Sequence, residues 1–114
     1  MASKELREPT FLVLAALANG PQHGYALMQS IQESTQGEIM LRPGTLYTAL
    51  DRLTADALIA VTGEEIVDGR PRRYYDLTDA GSTVLTEAVD RMEARAKAAR
   101  TALASRRRTR EVMA

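Results

Sequence analysis

The stretch from Thr78 to about Arg108 constrains the fold most, because it contains no proline and its only glycine, Gly81, falls in the first turn of the helix it predicts. Apolar residues recur along it at alternating intervals of four and three, the heptad-like spacing of a helix that packs against another helix. This seam consists of Leu85, Val89, Met92, Ala96, Ala99 and Leu103. So long a helix cannot fold back usefully on a chain of 114 residues. We expect it to project, and its seam to be shared between the chain's own first helix and a second subunit.

Two short helices are predicted near the start of the chain. The first is the apolar run over residues 11–18, which lies between Pro9 and the breaking sequence Asn-Gly-Pro. It is apolar on nearly every side, which predicts that it is buried. The second is expected over residues 23–34, and a brief extended piece follows at residues 39–41. The apolar side of the second helix is formed by Tyr25, Leu27, Met28 and Ile31.

A third helix begins at Pro43 and has the clearest amphipathic pattern. Its apolar stripe follows helical spacing and consists of Leu46, Leu50, Leu53 and Ala57. The opposite face carries Thr45, Thr48, Asp51, Arg52 and Ala55. Tyr47 lies at the border, so packing at the edge of the core and contact with a ligand are both open to it.

The pattern then changes from helical to alternating, which predicts a β-hairpin. Residues 58–67 indicate one strand and residues 72–77 the returning strand, with a turn signal at Asp68-Gly69. Pro71 lacks an N–H group and therefore argues against a central position in a sheet. Positive charge collects at the hairpin tip, which carries Arg70, Arg72 and Arg73. In the returning strand Tyr74 and Tyr75 point to opposite faces, so only one of them should be buried.

Composition excludes several classes of function. The absence of cysteine rules out disulfides, thiolate metal sites and cysteine nucleophiles. His23 is the only histidine and no cluster of metal ligands accompanies it, so neither a metal nor another cofactor is predicted. No nucleophile–base pair or glycine-rich phosphate loop indicates an enzyme. The first ten residues lack the apolar core of a signal peptide, and no apolar run could span a bilayer, which favours a cytoplasmic protein.

The order of the elements predicts a mostly α (α+β) fold. Three helices and a two-stranded β wing form a winged helix-turn-helix over residues 1–78. The long C-terminal helix over residues 79–114 is a dimerisation helix with a basic tail. In such a fold the third helix enters the major groove of DNA, and the wing approaches the backbone beside it. Guanidinium groups suit this role because their planar donors bind phosphate in a fork. From their positions alone, Arg42 before the third helix and Arg52 on its outer face are candidate contacts.

Three stretches resemble the PadR family of transcriptional regulators. They are "HGYALMQSI", "PGTLYTALDRLTADALI" and "GRPRRYYDLTDAG", which lie in the family's order and at compatible spacing. The resemblance covers roughly residues 9–85, and the single C-terminal helix is similar to that of the smaller subfamily, which lacks the longer C-terminal domain. On the matching positions it places Thr45, Tyr47 and Thr48 in the recognition-helix motif, and Arg70, Arg72 and Arg73 in the wing motif.

The resemblance implies a homodimeric DNA-binding regulator, usually a repressor. Such a dimer binds a pseudo-palindromic operator near a neighbouring gene, and many relatives respond to small aromatic or drug-like molecules. One departure bears on the effector: some relatives sandwich flat ligands with a tryptophan of the last helix, and this chain has no tryptophan. A sandwich of that kind is not expected here.

Several features also have plainer explanations. The arginines of the hairpin fit a solvated turn, and Glu64, Glu65 and Asp68 weaken the positive field around them. The basic run over residues 106–110 fits a frayed helix end, with a supplementary DNA contact as the alternative. The neutral net charge keeps open a winged-helix protein–protein adaptor that does not bind specific DNA.

Overall fold

The computed structural model describes residues 5–113, so the outer ends of the two predicted parts, residues 1–4 and 114, lie outside the described residues. Helices and strands follow one another in the order α1 (Glu8–Leu17), β1 (Gln22–His23), α2 (Gly24–Ser34), α3 (Pro43–Ala55), β2 (Ile59–Val67), β3 (Arg70–Leu77) and α4 (Asp79–Met113). The predicted winged helix-turn-helix is confirmed: α2 and α3 are followed by the β2–β3 wing and then by a long C-terminal helix.

One hydrophobic core lies between the first three helices and the base of the wing. α1 contributes four buried residues to it, Val13, Leu14, Ala16 and Leu17, because this helix is apolar around nearly its whole circumference. The predicted stripe of α3 meets α1 through side chains that are almost completely buried: Leu46, Leu50 and Leu53. Each buried leucine contributes about 2 kcal/mol from removal of apolar surface from water. This burial fixes the rotation of α3 about its axis, so its polar face must point outward.

α3 ends earlier than its apolar stripe predicts. Ala57 has a φ of +59° and follows the helix rather than extending it. The Leu58 N–H donates to the Leu53 carbonyl and the Ala57 N–H to the Thr54 carbonyl, each at 3.0 Å. This pair of bonds is a Schellman C-cap, in which the left-handed residue is usually glycine. The expectation that Ala57 belongs to the buried stripe is therefore wrong: its side chain is exposed at the turn into β2.

α2 differs from its predicted apolar side at one position. Leu27 and Ile31 are buried, but Tyr25 is 61% exposed. The expectation that Tyr25 packs in the core is wrong, because it lies in the first turn of α2 with its side chain open to solvent. Its hydroxyl instead accepts a hydrogen bond from the Gln29 side chain at 3.4 Å. Residues 39–41 belong to no strand, although Leu41 among them is buried.

The wing is a hairpin whose returning strand also pairs with a short strand that the sequence pattern did not predict. The sheet order is β1-β3-β2, and all pairings are antiparallel. Asp68 and Gly69 both have positive φ, as a type I′ turn requires, so the predicted turn is confirmed. β3 is the middle strand and contains Pro71, contrary to expectation. The reason is local: β1 pairs only with Tyr74 and Tyr75, so β3 has an open edge at Pro71.

α4 begins in direct contact with the end of α3. The Thr78 hydroxyl accepts a hydrogen bond from the Gly81 N–H at 3.0 Å, which confirms Thr78 as the N-cap. The same hydroxyl donates to the Ala57 carbonyl at 2.7 Å, and the Thr78 N–H donates to the Leu58 carbonyl at 3.1 Å. A Cβ atom on Gly81 would lie 1.9 Å from that Leu58 carbonyl oxygen. Only glycine therefore allows the helix to start this close to the wing.

Beyond its first turns α4 leaves the winged domain. Ala88 is its last buried residue, and the molecule measures 69 Å along its longest axis. The helix continues through the basic run to Met113, so the expectation of a frayed basic end is wrong. Among the described residues, no helix is both long enough and apolar enough to cross a membrane.

Candidate nucleic-acid interface

The outer face of α3 is polar and open to solvent. Thr45, Thr48 and Arg52 are exposed, and their spacing of three and four residues places them in one row along the helix. Arg42 occupies the N-cap position, where its backbone is extended and its side chain is exposed. Pro43 in the first turn starts the helix immediately after it. These four candidate residues are thus presented on one helix, whose orientation is fixed by its buried leucines.

Tyr47 combines the two roles that the sequence left open. It is 48% exposed, so part of the ring and its surroundings face solvent. Its hydroxyl lies against the first turn of α2, where a Cβ atom on Gly24 would be only 2.6 Å from the hydroxyl oxygen. The side chain therefore lies between α3 and the start of α2, and its exposed part remains accessible to a ligand.

The wing arginines are not equivalent. Arg72 forms an ion pair with Glu65 at 3.8 Å, and Arg73 forms one with Glu64 at 3.9 Å. These pairs join residues that lie directly opposite each other on β2 and β3. Arg70, beside the turn, has no ion pair with any residue from 5 to 113. In the free protein two of the three guanidinium groups therefore already face carboxylates, and one does not.

A polar cluster connects the wing to the start of α2. The Tyr74 hydroxyl donates a hydrogen bond to the Glu65 carboxylate at 2.5 Å, and this bond raises the pKa of Tyr74 above its usual value. The Tyr74 ring meets the His23 ring edge to face, with centroids 5.4 Å apart. As predicted for the two tyrosines, Tyr74 faces outward and Tyr75 is buried.

His23 caps α2 with its side chain. The Ala26 N–H donates to His23 Nδ1 at 3.2 Å, which requires that nitrogen to be unprotonated. Burial lowers the pKa of His23, the charge of Arg72 lowers it further, and Glu65 partly opposes this. The part of the chain that the structure describes contains no group of three or more histidine, cysteine or carboxylate side chains that could hold a metal.

A cleft of about 780 Å³ brings the recognition helix and the wing together. Its lining includes Tyr47 and Asp51 of α3 and all three wing arginines. His23, Gly24 and Tyr25 at the start of α2 also line it. Of the predicted DNA contacts, Tyr47 and the wing arginines thus share one concave surface.

The remaining candidates on α3 face a second cleft that sequence reasoning missed. It measures about 330 Å³ and is lined by Arg7, Pro9, Thr10, Gly44, Thr45, Thr48, Ala49 and Arg52. Arg7 precedes α1, and nothing in its sequence context shows that the start of α1 lies beside α3. Arg42 lines neither cleft.

The predicted dimerisation residues lie on α4, away from both clefts. Leu85 packs against the chain's own core, and Val89 is half-buried. The seam is exposed from Met92 onward, and Leu103 near the far end is 61% exposed. The proximal part of the seam is therefore already occupied within this chain, and the distal part is free for a partner helix.

Comparison with known proteins identifies the family. Residues 13–87 match the family model described as "Transcriptional regulator PadR-like family". The chain belongs to the PadR-like family of transcriptional regulators. Members of this family are regulators rather than enzymes, in agreement with the absence of catalytic motifs from the sequence. The matched region contains α2, α3, the wing and the first turns of α4, together with the second half of α1.

Individual relatives agree with this assignment. The Mycobacterium tuberculosis transcriptional regulator Rv3488 is 43% identical over 75 residues, which are 66% of each chain. The Escherichia coli transcriptional regulator YqjI is 32% identical over 86 residues, which cover 75% of this chain and 40% of that protein. A solved PadR-family regulator from Clostridium difficile has a TM-score of 0.71 at 25% identity, with 85% of this chain and 99% of that chain covered.

Proposed function

We propose that this PadR-family regulator binds double-stranded operator DNA as a homodimer, with α3 in the major groove and the wing against the adjacent backbone. The single observation that carries the proposal is the large cleft, which is lined both by residues of α3 and by the three arginines of the wing. Helix-turn-helix proteins use this arrangement to combine contacts to base edges with contacts to phosphates.

The residues divide into two kinds of contact. Thr45, Tyr47 and Thr48 offer hydroxyl groups that suit base edges or phosphates, whereas the arginines suit phosphates through paired N–H donors. A PadR protein of Bacillus subtilis, solved in complex with operator DNA, has a TM-score of 0.65 at 23% identity and covers 73% of this chain and 47% of its own. Its complex with operator DNA supports DNA as the partner of this fold.

Dimerisation is proposed through the distal part of α4. Beyond Met92, Arg95 forms an ion pair with Glu5, but no described residue of the helix is buried. The exposed seam residues Ala96, Ala99 and Leu103 continue along this part. An isolated helix in water is marginally stable, and most helices gain their stability from packing of one face. A second copy of α4 supplies that packing, and the small alanine side chains let the two backbones approach closely. Two copies of α3 would then address two half-sites of a pseudo-palindromic operator.

Repression of a neighbouring gene and release by a small molecule stay predictions from the family resemblance. Either effect requires a ligand or signal that binds one arrangement of the two winged domains more tightly than the other. The division into a DNA-binding part (residues 1–78) and a dimerisation part (residues 79–114) is proposed on the same basis.

Fluorescence anisotropy tests the DNA contact. The full chain is titrated with a labelled duplex from the region upstream of its own gene, and with a shuffled duplex of equal length, at several salt concentrations. We expect tighter binding to the upstream duplex, and a salt slope that falls by about 1 for each phosphate contact removed in an R70A/R72A/R73A variant. The K97A variant, which removes an exposed charge of α4, serves as the control.

Two results would contradict the proposal. Equal and salt-independent binding to both duplexes would exclude a sequence-specific regulator that contacts the backbone. An unchanged salt slope in the triple wing variant would favour the protein–protein adaptor. Dimerisation is tested separately by light scattering, in which we expect twice the 12.5 kDa mass of one chain for the wild type and a monomer for L103E.

A further inference from the structure

The smaller cleft beside α3 differs from the larger one in its charge balance. Two arginines, Arg7 and Arg52, line it, and no carboxylate does. The larger cleft contains Asp51 and Asp68, and two of its arginines are paired with glutamates of β2. In a chain of zero net charge, the smaller cleft is thus a place where positive charge is locally uncompensated.

The position of Arg7 is fixed by its neighbours along the chain. Leu6 packs against the hydrophobic core, and Glu5 forms an ion pair with Arg95 of α4. The Arg7 carbonyl accepts a hydrogen bond from the Phe11 N–H at 2.9 Å, which ties it to the first turn of α1. Three separate contacts therefore hold the segment that carries Arg7, and its side chain is exposed at the mouth of the cleft.

The rest of the lining suits an anion bound to two guanidinium groups. Thr45 and Thr48 lie in one row with Arg52 along α3, and Thr10 faces them from α1. Threonine hydroxyls donate hydrogen bonds to phosphate oxygens, and arginine binds them with paired N–H donors. Glu8 follows Arg7 in the sequence, but it is exposed and does not line the cleft.

We propose that the cleft formed by Arg7, Thr10, Thr45, Thr48 and Arg52 binds a backbone phosphate of the DNA on the side of α3 opposite the wing. This inference rests on the proposed function and adds a second phosphate anchor to it. With the wing on one flank of α3 and Arg7 on the other, the recognition helix is held to the backbone on both sides of the groove. Such contacts set the depth and register of the helix but do not read sequence.

The consequence is a specific salt dependence. Each phosphate neutralised on duplex DNA contributes about 0.9 to the slope of log K against log salt. Consider a high salt concentration at which the wild type and a variant without this contact bind equally well. At a tenth of that concentration, the variant should bind about eightfold more weakly than the wild type. Because the contact is to the backbone, this loss is the same for operator and unrelated sequences.

The test measures binding of the full chain to a random-sequence duplex across a range of sodium chloride concentrations. We expect the R7A/R52A variant, which removes both guanidinium groups from the one phosphate, to lower the slope by about 0.9. R7A and R52A alone should each lower it in part, and R7K should retain it. K97A, which removes one exposed positive charge outside both clefts, controls for the loss of charge, and circular dichroism confirms that each variant is folded. Arg7 is exposed, so its substitution leaves the core unchanged.

The outcomes separate this inference from the proposed function. If R7A binds with the wild-type slope while R70A loses part of it, the second anchor does not exist and DNA binding through the wing stands. If K97A lowers the slope as much as R7A does, the effect is one of total charge and the site is excluded. If the wild type shows no salt-dependent binding to any duplex, the proposed function fails together with this inference.

Discussion

Replacement of Gly81 by alanine tests whether the close approach of α4 to the wing holds the fold together. Alanine is the better helix former by about 1 kcal/mol, so propensity alone predicts stabilisation. However, the new Cβ atom would lie 1.9 Å from the Leu58 carbonyl oxygen, whereas carbon and oxygen normally approach to about 3.3 Å. The start of α4 must therefore move away from Leu58 by more than 1 Å.

That movement breaks identifiable contacts. The hydrogen bonds from Thr78 to the carbonyls of Leu58 and Ala57 each contribute about 1 kcal/mol, and a carbonyl left without a partner adds to the loss. Part of the packing of Val84 and Leu85 on the core is also lost. After subtraction of the propensity gain, we expect G81A to be less stable by about 2–3 kcal/mol, and its melting temperature to fall by roughly 10 °C.

Gly44 provides a matched control. It also lies in the first turn of a helix, but a Cβ atom there would meet no atom within 4 Å. G44A should therefore be as stable as the wild type or more stable by up to about 1 kcal/mol. Urea unfolding of both variants, followed by circular dichroism at one fixed protein concentration, gives the comparison. A G81A variant at least as stable as the wild type would refute the reasoning, because it would show that the approach of α4 imposes no steric constraint.

Three further predictions concern the wing, the end of α3 and the cap of α2. Replacement of Glu64 and Glu65 by glutamine releases Arg73 and Arg72 from their ion pairs and should tighten duplex binding several-fold in an anisotropy titration; unchanged affinity would show that the pairs do not compete with DNA. A57G should raise the urea midpoint by the equivalent of about 0.5–1 kcal/mol, since glycine adopts the left-handed conformation without strain, and a lower midpoint would contradict this. Because burial and Arg72 lower the pKa of His23 in the folded state, its contribution to stability is present above the unfolded pKa near 6.5 and is lost as pH falls through the lower folded value. H23N retains a capping side chain and should reduce the loss of stability between pH 7.5 and 5.5, and an equal loss in both proteins would exclude His23 as its source.

Local sequence signals predicted most of the fold because several of them agree at each element. The stripe of Leu46, Leu50 and Leu53 correctly predicted which side of α3 is buried. The pair Asp68-Gly69 correctly predicted the position of the turn in the wing. The failures occurred where tertiary context decides. Ala57 continues the helical spacing, but the Schellman cap ends α3 before it, and no propensity distinguishes these two outcomes for alanine.

The candidate site was predictable to the extent that it lies in continuous motifs. Thr45, Thr48 and the wing arginines follow from such motifs, whereas Arg7 does not, because its proximity to Arg52 arises only when α1 packs across α3. The two-residue strand β1 was missed for the same reason: its pairing partner in β3 lies about fifty residues further along the chain. Glu64 and Glu65 were visible as a weakening of the positive field, but which arginine each one faces depends on the register of the hairpin.

In the ion pairs of the wing, the carboxylates of Glu64 and Glu65 take the place beside the arginines that DNA phosphates would take in the proposed complex. In the free protein the carboxylates of Glu65 and Glu64 lie within ion-pair distance of Arg72 and Arg73, the guanidinium groups that phosphates would contact. If the chain binds DNA as proposed, phosphates must replace these carboxylates beside Arg72 and Arg73 each time the wing contacts a duplex. Only a duplex seated well enough to displace both carboxylates gains the full wing contact, so the protein should reside briefly on unrelated sequences and search the genome faster.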